Sequence, residues 1–410
     1  MKRFYYLISL LVLIPMGLVS CSEDEVLTET GTQSEPALQV NTEEKALETH
    51  AKLVEGFKQS ATRGETSIYP DYYGGCFING QKQLVVLTKN EGGQAQMMSM
   101  AANAGNLVFK PCEYSYNYLN QVMDELNDYQ IKNDNDISNN FSYYYLHDTL
   151  NVVVVEMQEC SPNRINEFKR NVSSSPAIQF EQAPPEIEEE NYVSVDNNNL
   201  SRTVSSLYPG CKIFSYLTSG GTIYASNGSL GYRVTCDGAK GFITAGHVVN
   251  SLGNEVMAGS GDEIGICDLY DYYNGGTVDA AFVKVDDPAT LNVLSNNIGA
   301  TNITLSTDVV DSSSLVYGLT VIKVGAVTGF SETTINSTNV SSTDSETHKT
   351  VTKQISLTAS SQKGDSGGIV ALHNSNSYRT LGIIKAAADN GNTVCTLASE
   401  IKKRFYCERY

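Results

Sequence analysis

The 410-residue chain contains no tryptophan and only five histidines. So few imidazoles make each one informative, because histidine is the usual general base near neutral pH. Its nine cysteines include no Cys-x-x-Cys pair, and its histidines do not cluster, so the sequence offers no zinc site and calls for no cofactor. Basic residues are in deficit: 28 Lys and Arg stand against 46 Asp and Glu, a formal charge of −18. That balance argues against a nucleic-acid partner. The acidity is spread along the chain and reads as solubility. Apart from Phe4 to Val19, no apolar run invites a membrane reading, and that run is too short and too near the terminus to count as a span.

What is present begins with a targeting segment. Lys2 and Arg3 precede the apolar run, so Met1 to Ser20 is expected to be a signal peptide. Its end, Leu18-Val19-Ser20-Cys21, resembles a bacterial lipobox. The resemblance implies cleavage before Cys21, a lipid on Cys21 and an outer membrane as its partner. An ordinary signal peptide with a chance cysteine is the alternative. Ser22-Glu23-Asp24-Glu25 resembles acidic tags that direct lipoproteins to the cell surface. Residues 21–42 are polar, rich in Glu, Thr and Ser, and read as a tether.

From residue 43 the pattern changes. Ala46, Leu47, His50, Leu53, Val54 and Phe57 recur at helical spacing. Gly74 to Leu87 reads as a hairpin turning at Asn79-Gly80. A short helix is expected over Met97 to Ala102, then a strand at Leu107-Val108-Phe109. The order then recurs. Leu119, Val122, Met123, Leu126 and Tyr129 mark a helix, and Tyr143–Leu146 with Val152–Val155 mark a hairpin. Ser161-Pro162 opens another helix with an N-cap and a first-turn proline. Ile178 to Phe180 is the last strand. Residues 43–183 therefore read as two α-β-β-α-β units without a catalytic constellation. Residues 184–204 hold Glu188-Glu189-Glu190 and Asn197-Asn198-Asn199, a composition suited to a cleavable linker, with a cut expected near Arg202.

Residues 205–410 carry the chemistry. Short strands with Gly, Asn and Ser turns fit two packed antiparallel barrels, and Leu397 to Phe405 reads as a terminal helix. Three segments stand out. His247 ends the apolar run Phe242-Ile243-Thr244-Ala245-Gly246. Asp279 opens Asp279-Ala280-Ala281-Phe282-Val283. Ser366 lies in Gly364-Asp365-Ser366-Gly367-Gly368. A serine hydroxyl needs a base beside it and a place for the oxyanion it creates. Glycines around Ser366 permit a tight turn that presents Oγ and aims the Gly364 and Ser366 amides at one point.

The order His, Asp, Ser and these segments resemble chymotrypsin-fold serine proteases, in particular the bacterial streptogrisin and α-lytic type. Gly220-Gly221-Thr222-Ile223-Tyr224 and Gly228-Ser229-Leu230-Gly231-Tyr232 add to the resemblance, as does Gly318 to Gly329 with Lys323, Gly325 and Thr328. It covers about the last half of the chain. It implies a catalytic domain of two six-stranded antiparallel β-barrels with a C-terminal helix, preceded by an α+β pro region that assists folding and then inhibits. It implies an exported serine endopeptidase, made as a zymogen and acting on protein or peptide substrates. The triad would be His247, Asp279 and Ser366, and the oxyanion hole the amides of Gly364 and Ser366. Lys323 would pair with Asp365. Ser360, Ser361, Lys363, Lys385, Ala386 and Ala387 would line the substrate site.

The chain departs from the family's pattern in three places. Ser229 and Val248 stand where a disulfide spans the histidine loop. Gln362 replaces a cysteine four residues before the nucleophile. Lys385, in Leu381-Gly382-Ile383-Ile384-Lys385-Ala386-Ala387, replaces a serine. That lysine either approaches Asp279 and competes with the imidazolium, or reaches the substrate pocket. In the second case, with Lys363, it would favour acidic or polar side chains before the scissile bond. A protease-like binding scaffold without catalysis is the competing function. A serine esterase of the α/β-hydrolase type is disfavoured, because there the histidine comes last. The pairing of the cysteines stays open.

Overall fold

The computed structural model describes residues 35–61, 67–102, 105, 107–184, 206–219, 222–299, 301, 303–374 and 377–410, with side chains from Glu43 onward except at 217–219, 222, 223 and 374. The signal segment, Cys21 and Arg202 lie outside the described residues, as do Gly220 and Gly221.

The first unit runs α1 (Glu35–Ser60), β1 (Tyr73–Ile78), β2 (Leu84–Thr88), α2 (Glu91–Met100) and β3 (Leu107–Pro111). Helix α1 begins inside the expected tether, so residues 35–42 are helical. Helix α2 starts earlier than its apolar residues suggest. Asn90 caps it by accepting the Gly93 N–H at 2.7 Å, and Tyr72 packs so close to Gly93 that no side chain fits there. The second unit repeats the order: α3 (Tyr116–Lys132), β4 (Tyr143–His147), β5 (Val152–Met157), α4 (Pro162–Asn171) and β6 (Ile178–Gln182). Ser115 and Ser161 cap α3 and α4. The buried stripe Leu119, Val122, Met123 and Leu126 packs against Tyr144, Val153 and Val155 of β4 and β5, with Phe168 of α4 completing the core.

The first barrel contains β7 (Lys212–Ser219), β8 (Thr222–Ser229), β9 (Tyr232–Cys236), β10 (Ala239–Thr244), β11 (Glu255–Ala258), β12 (Glu263–Tyr272) and β13 (Asp279–Lys284), with a short α5 (Gly246–Val249). The sheet order runs from β9 through β10, β13, β12, β11 and β7 to β8. Only Leu230 and Gly231 separate β8 from β9, so these two form one bent strand and the ring closes with six. Phe242, Ile213, Val256, Ala281 and Val283 fill it. After α6 (Pro288–Val293) and β14 (Leu305–Val309) comes the second barrel. Its strands are β15 (Thr320–Gly325), β16 (Gly329–Thr343), β17 (Thr350–Leu357), β18 (Ile369–Asn374), β19 (Ser377–Ala387) and β20 (Thr393–Leu397). Pairing of β15 with both β18 and β16 closes this six-stranded ring. Helix α7 (Ala398–Phe405) comes next, as expected. A final strand, β21 (Cys407–Arg409), is unforeseen: it pairs with β9, and Cys407 forms a disulfide with Cys236.

The first two units are joined to the barrels by more than chain connectivity. Strand β4 adds to the edge of β16, with Tyr143, Tyr144 and Tyr145 opposite Ser342, Ser341 and Val340, so a ten-stranded sheet runs through both halves. Tyr143, Tyr145 and Val154 pack on Val340 and Val394. Asn127 accepts from Tyr144 Oη and from Ser341 Oγ at 2.8 and 2.7 Å. The first unit contributes Glu43, which takes the Thr320 N–H at 2.6 Å and pairs with Lys82.

Candidate active site

His247 and Asp279 sit at strand ends, and Ser366 lies in the turn that leads into β18. Strand β10 delivers His247 through Ala245 to the one-turn α5, and β13 begins at Asp279. Asp279 is fully buried. Its Oδ2 lies 2.7 Å from His247 Nδ1, and its Oδ1 accepts the His247 N–H at 3.0 Å. Both contacts fix the ring and place the Nδ1 proton toward the carboxylate, leaving Nε2 free to act as a base. Burial pushes the Asp279 carboxyl up. The nearby His247 and Lys385 outweigh that and hold it below the ordinary carboxylate value. Tyr272 closes one side of the imidazole, edge on, with ring centres 6.0 Å apart.

Ser366 lies on a turn that only glycines permit. Gly364 has φ +99° and Gly367 φ +86°. A Cβ on Gly367 would fall 2.2 Å from Thr244 Oγ1 and 2.4 Å from the Ser229 carbonyl, so the Ser366 turn is pressed against the first barrel. Ser229 clamps the two together. Its N–H donates to the Ser366 carbonyl at 2.7 Å and its Oγ to the Gly364 carbonyl at 2.8 Å. Thr244 Oγ1 donates to the Ser229 carbonyl, and the Ala326 N–H donates to Ser229 Oγ. Ser366 Oγ donates to the Lys385 carbonyl at 2.9 Å. Among the described residues no hydrogen bond joins it to His247. The three groups share one site, but the serine hydroxyl points at β19.

Asp365 is fully buried, as expected, but Lys323 does not pair with it directly. Thr328 stands between them: Lys323 Nζ donates to Thr328 Oγ1 at 2.7 Å, and that hydroxyl donates to Asp365 Oδ2 at 2.7 Å. The N–H groups of Val327, Thr328 and Gln362 complete the carboxylate's shell. These bonds outweigh the upward push of burial and hold Asp365 below its ordinary value. Burial lowers the Lys323 ammonium, and Asp365 offsets part of that. The hydroxyl gives the ammonium an acceptor and the carboxylate a donor at once, so neither buried charge lacks a partner.

The register of the histidine loop also differs from expectation. Gly228, not Ser229, faces Val248: a Cβ on Gly228 would lie 2.6 Å from Val248 Cγ1. Ser229 points the opposite way, into the nucleophile turn. Of the residues assigned to the substrate site, Ser360, Lys363 and Ala387 are exposed, Ala386 is half-buried, and Ser361 is buried with no partner for its Oγ among the described residues. Lys385 is buried, and its Nζ donates to Ser342 Oγ at 3.0 Å. Its charge is thus directed away from solvent and toward the β16 edge. Sequence reading missed Ser229 as a clamp and Thr328 as a relay. The Gly-Ser-Leu-Gly spacing was the only signal for the first. Among the described residues no group of His, Cys, Asp or Glu could hold a metal, and no helix is long and apolar enough to cross a membrane.

Two closed six-stranded barrels with a terminal helix, joined to α+β units ahead of them, make the chymotrypsin-like two-barrel fold with a pro-like region. Residues 35–135 match the family model of a Pro-like N-terminal domain, and residues 117–183 that of a Pro-like C-terminal domain. No curated protein matches the chain. Among solved structures, a Nocardiopsis protease is 22% identical over 50% of this chain and 100% of its own, with a TM-score of 0.39. Protease A of Thermobifida fusca is 24% identical over 50% of this chain and 98% of its own, with a TM-score of 0.38. A serine protease described as specific for glutamic acid, with a histidine triad in substrate binding, is 23% identical over 50% of this chain and 100% of its own, at a TM-score of 0.38.

Proposed function

We propose that the chain is an exported serine endopeptidase made as a zymogen. Residues 43–183 act as pro region, assisting folding and inhibiting until a cut in residues 184–204 frees the enzyme of residues 205–410. Lipid on Cys21 tethers the precursor to an outer membrane, and a cut in the linker allows the catalytic domain to leave once it separates from the pro region. The observation that carries the reading is the pair of contacts from His247 to the fully buried Asp279, beside the glycine-bounded turn of Ser366. For attack, Ser366 Oγ has to leave the Lys385 carbonyl and turn to His247 Nε2. The imidazole takes its proton as Oγ attacks the scissile carbonyl of a protein or peptide substrate. The amides of Gly364 and Ser366 hold the oxyanion. The imidazolium then gives its proton to the leaving amine, and water releases the acyl group by the same route. Each oxyanion donor is worth about 10²–10³ in rate.

The slow folding of barrels built from non-local pairs gives a pro region work to do, and β4 paired on β16 is a suitable template. Preference for acidic side chains before the scissile bond now rests on exposed Lys363, because the Lys385 ammonium is held by Ser342. A cleavage profile dominated by Arg, Lys or large apolar residues at that position rules the preference out. A catalytically silent binding scaffold is the second reading, favoured by the contact of Ser366 Oγ with the Lys385 carbonyl.

The test is intact mass and fluorophosphonate labelling of the chain from Ser22 onward, with Ser366→Ala beside it. Splitting and labelling of the wild type alone supports the enzyme. No label on either protein, even after limited proteolysis between the halves, leaves the scaffold.

A further inference from the structure

Helix α3 ends against a loop of the other half. The carbonyls of a helix's last turn have no partner inside the helix. That of Ile131, one residue before the end of α3, accepts from Asn274 Nδ2 at 3.1 Å. The donor belongs to the first barrel, in the loop between β12 and β13. Asn274 Oδ1 in turn accepts the Thr350 N–H of the second barrel at 3.0 Å. One amide side chain therefore bonds to the second barrel and to the α+β unit while its backbone belongs to the first barrel. Beside it, Gly275 has φ +80°, and a Cβ there would lie 3.1 Å from Ile131 Cδ1. The Ile131 side chain thus packs on bare backbone that only glycine offers in this conformation.

The loop so held lies between two parts of the site. It leaves Tyr272, whose ring closes one side of the His247 imidazole, and ends at Asp279, whose carboxylate bonds that imidazole. Tyr273 to Thr277 are exposed or half-buried, so the loop has no buried apolar anchor before Val278. Its supports come from elements beyond its own barrel. The Gly275 N–H donates to the Thr350 carbonyl at 2.8 Å, and the Gly276 carbonyl accepts the Thr352 N–H at 2.9 Å. Thr277 Oγ1 reaches Glu400 of α7 at 3.4 Å. The Ile131 contacts add a support from the α+β half, at a different place from the pairing of β4 with β16.

We propose that the C-terminal turn of α3 is a second docking point of the pro-like region, received by Asn274, and that it holds the loop from Tyr272 to Asp279 on the barrel seam until the halves part. Parting bares the Ile131 carbonyl and frees the Asn274 amide. The loop flanking the His247–Asp279 pair then loosens as the pro-like region leaves, so departure is felt at the site as well as at the β16 edge. The inference rests on the reading of residues 43–183 as a pro region.

The experiment is hydrogen exchange read by mass spectrometry, in a Ser366→Ala chain so that catalysis does not enter the readout. Asn274→Asp removes the donor, sets a carboxylate against the Ile131 carbonyl and keeps the acceptor for Thr350. Ile131→Ala changes α3 alone. In both, the peptide covering residues 273–278 is expected to exchange about three- to tenfold faster, as loss of one hydrogen bond or its equivalent in packing allows, while peptides of β4 and β16 keep their rates. Tyr145→Ala, which weakens the packing of β4 on Val340, is expected to leave the 273–278 peptide unchanged. After limited proteolysis within residues 184–204, the halves of both docking variants should separate at lower urea than those of the parent. Unchanged exchange of the loop in Asn274→Asp and Ile131→Ala overturns the inference. Equal acceleration in all three variants also overturns it, because that marks general loosening. Halves that stay joined until the barrels unfold overturn the pro-region reading and the release step with it, while loop exchange in the intact chain still decides the docking point.

Discussion

Asp148 offers the sharpest test of how the two halves hold together. It lies in the turn between β4 and β5, 4% exposed. Its Oδ1 accepts from Thr338 Oγ1 at 2.8 Å and its Oδ2 from the Thr338 N–H at 3.3 Å, across the junction with the second barrel. No cation pairs with it among the described residues. Burial pushes its carboxyl from 3.8 up to about 7, and the bonds from Thr338 recover only part of the cost. A raised value means that the folded chain binds this proton more tightly than the unfolded chain does. The stabilisation is complete below about pH 4 and is lost as pH rises through about 7. At about 1.4 kcal/mol per pH unit, the window is worth up to ~4 kcal/mol, an upper bound. Asp148→Asn cannot ionise, and the Thr338 hydroxyl can turn to accept from the amide. In a Ser366→Ala background, which removes the proposed nucleophile, Asp148→Asn should raise the urea midpoint at pH 8 and leave it nearly unchanged at pH 4. Glu156 obeys the same logic. It is 6% exposed, is bonded to Asn390 Nδ2 at 2.8 Å, and is raised by burial, and further by Glu181 and Asp389, from 4.5 to about 7. Equal urea midpoints for parent and variant at pH 8, or a lower one for Asp148→Asn, would refute the reasoning.

The site itself sets three further expectations. Gly367→Ala forces a Cβ into Thr244 Oγ1 and the Ser229 carbonyl at a positive φ, and should cost about 2–3 kcal/mol while abolishing fluorophosphonate labelling. Thr328→Val removes the hydroxyl shared by Lys323 and Asp365; a loss of about 2–4 kcal/mol in thermal unfolding, with labelling slowed, is expected, and a neutral result means that the relay is dispensable. Gly228→Cys with Val248→Cys should close a loop of about 20 residues, detectable as a mass loss of two hydrogens and a gain of about 3 kcal/mol; the single variants should gain nothing.

Sequence periodicity located most elements because their signals are local. The stripe from Leu119 to Leu126 lines one face of a helix, and Ser161-Pro162 carries its own start signal. The three site segments were legible for the same reason, each a run of fewer than ten residues. What stayed hidden was relational. The pairing of Cys236 with Cys407 spans 171 residues, and β4 meets β16 across a similar distance, so no window of sequence contains either. Assigning Ser229 to face Val248 was an error of one residue. In a strand that error turns the side chain to the other side, which is why Ser229 reaches the Ser366 turn instead. The Lys323–Asp365 link was read as charge meeting charge, and the inserted hydroxyl of Thr328 arises from geometry that composition does not carry.

The shared ten-stranded sheet would govern the fate of the chain after the proposed cut. A cut between residues 184 and 204 breaks none of the bonds between β4 and β16. Scission and separation are therefore distinct events, with different rates and different sensitivities to pH. Once the halves do part, each carries a freshly bared strand edge, and such edges recruit other chains. As long as β4 stays paired, it covers the β16 edge against such recruitment.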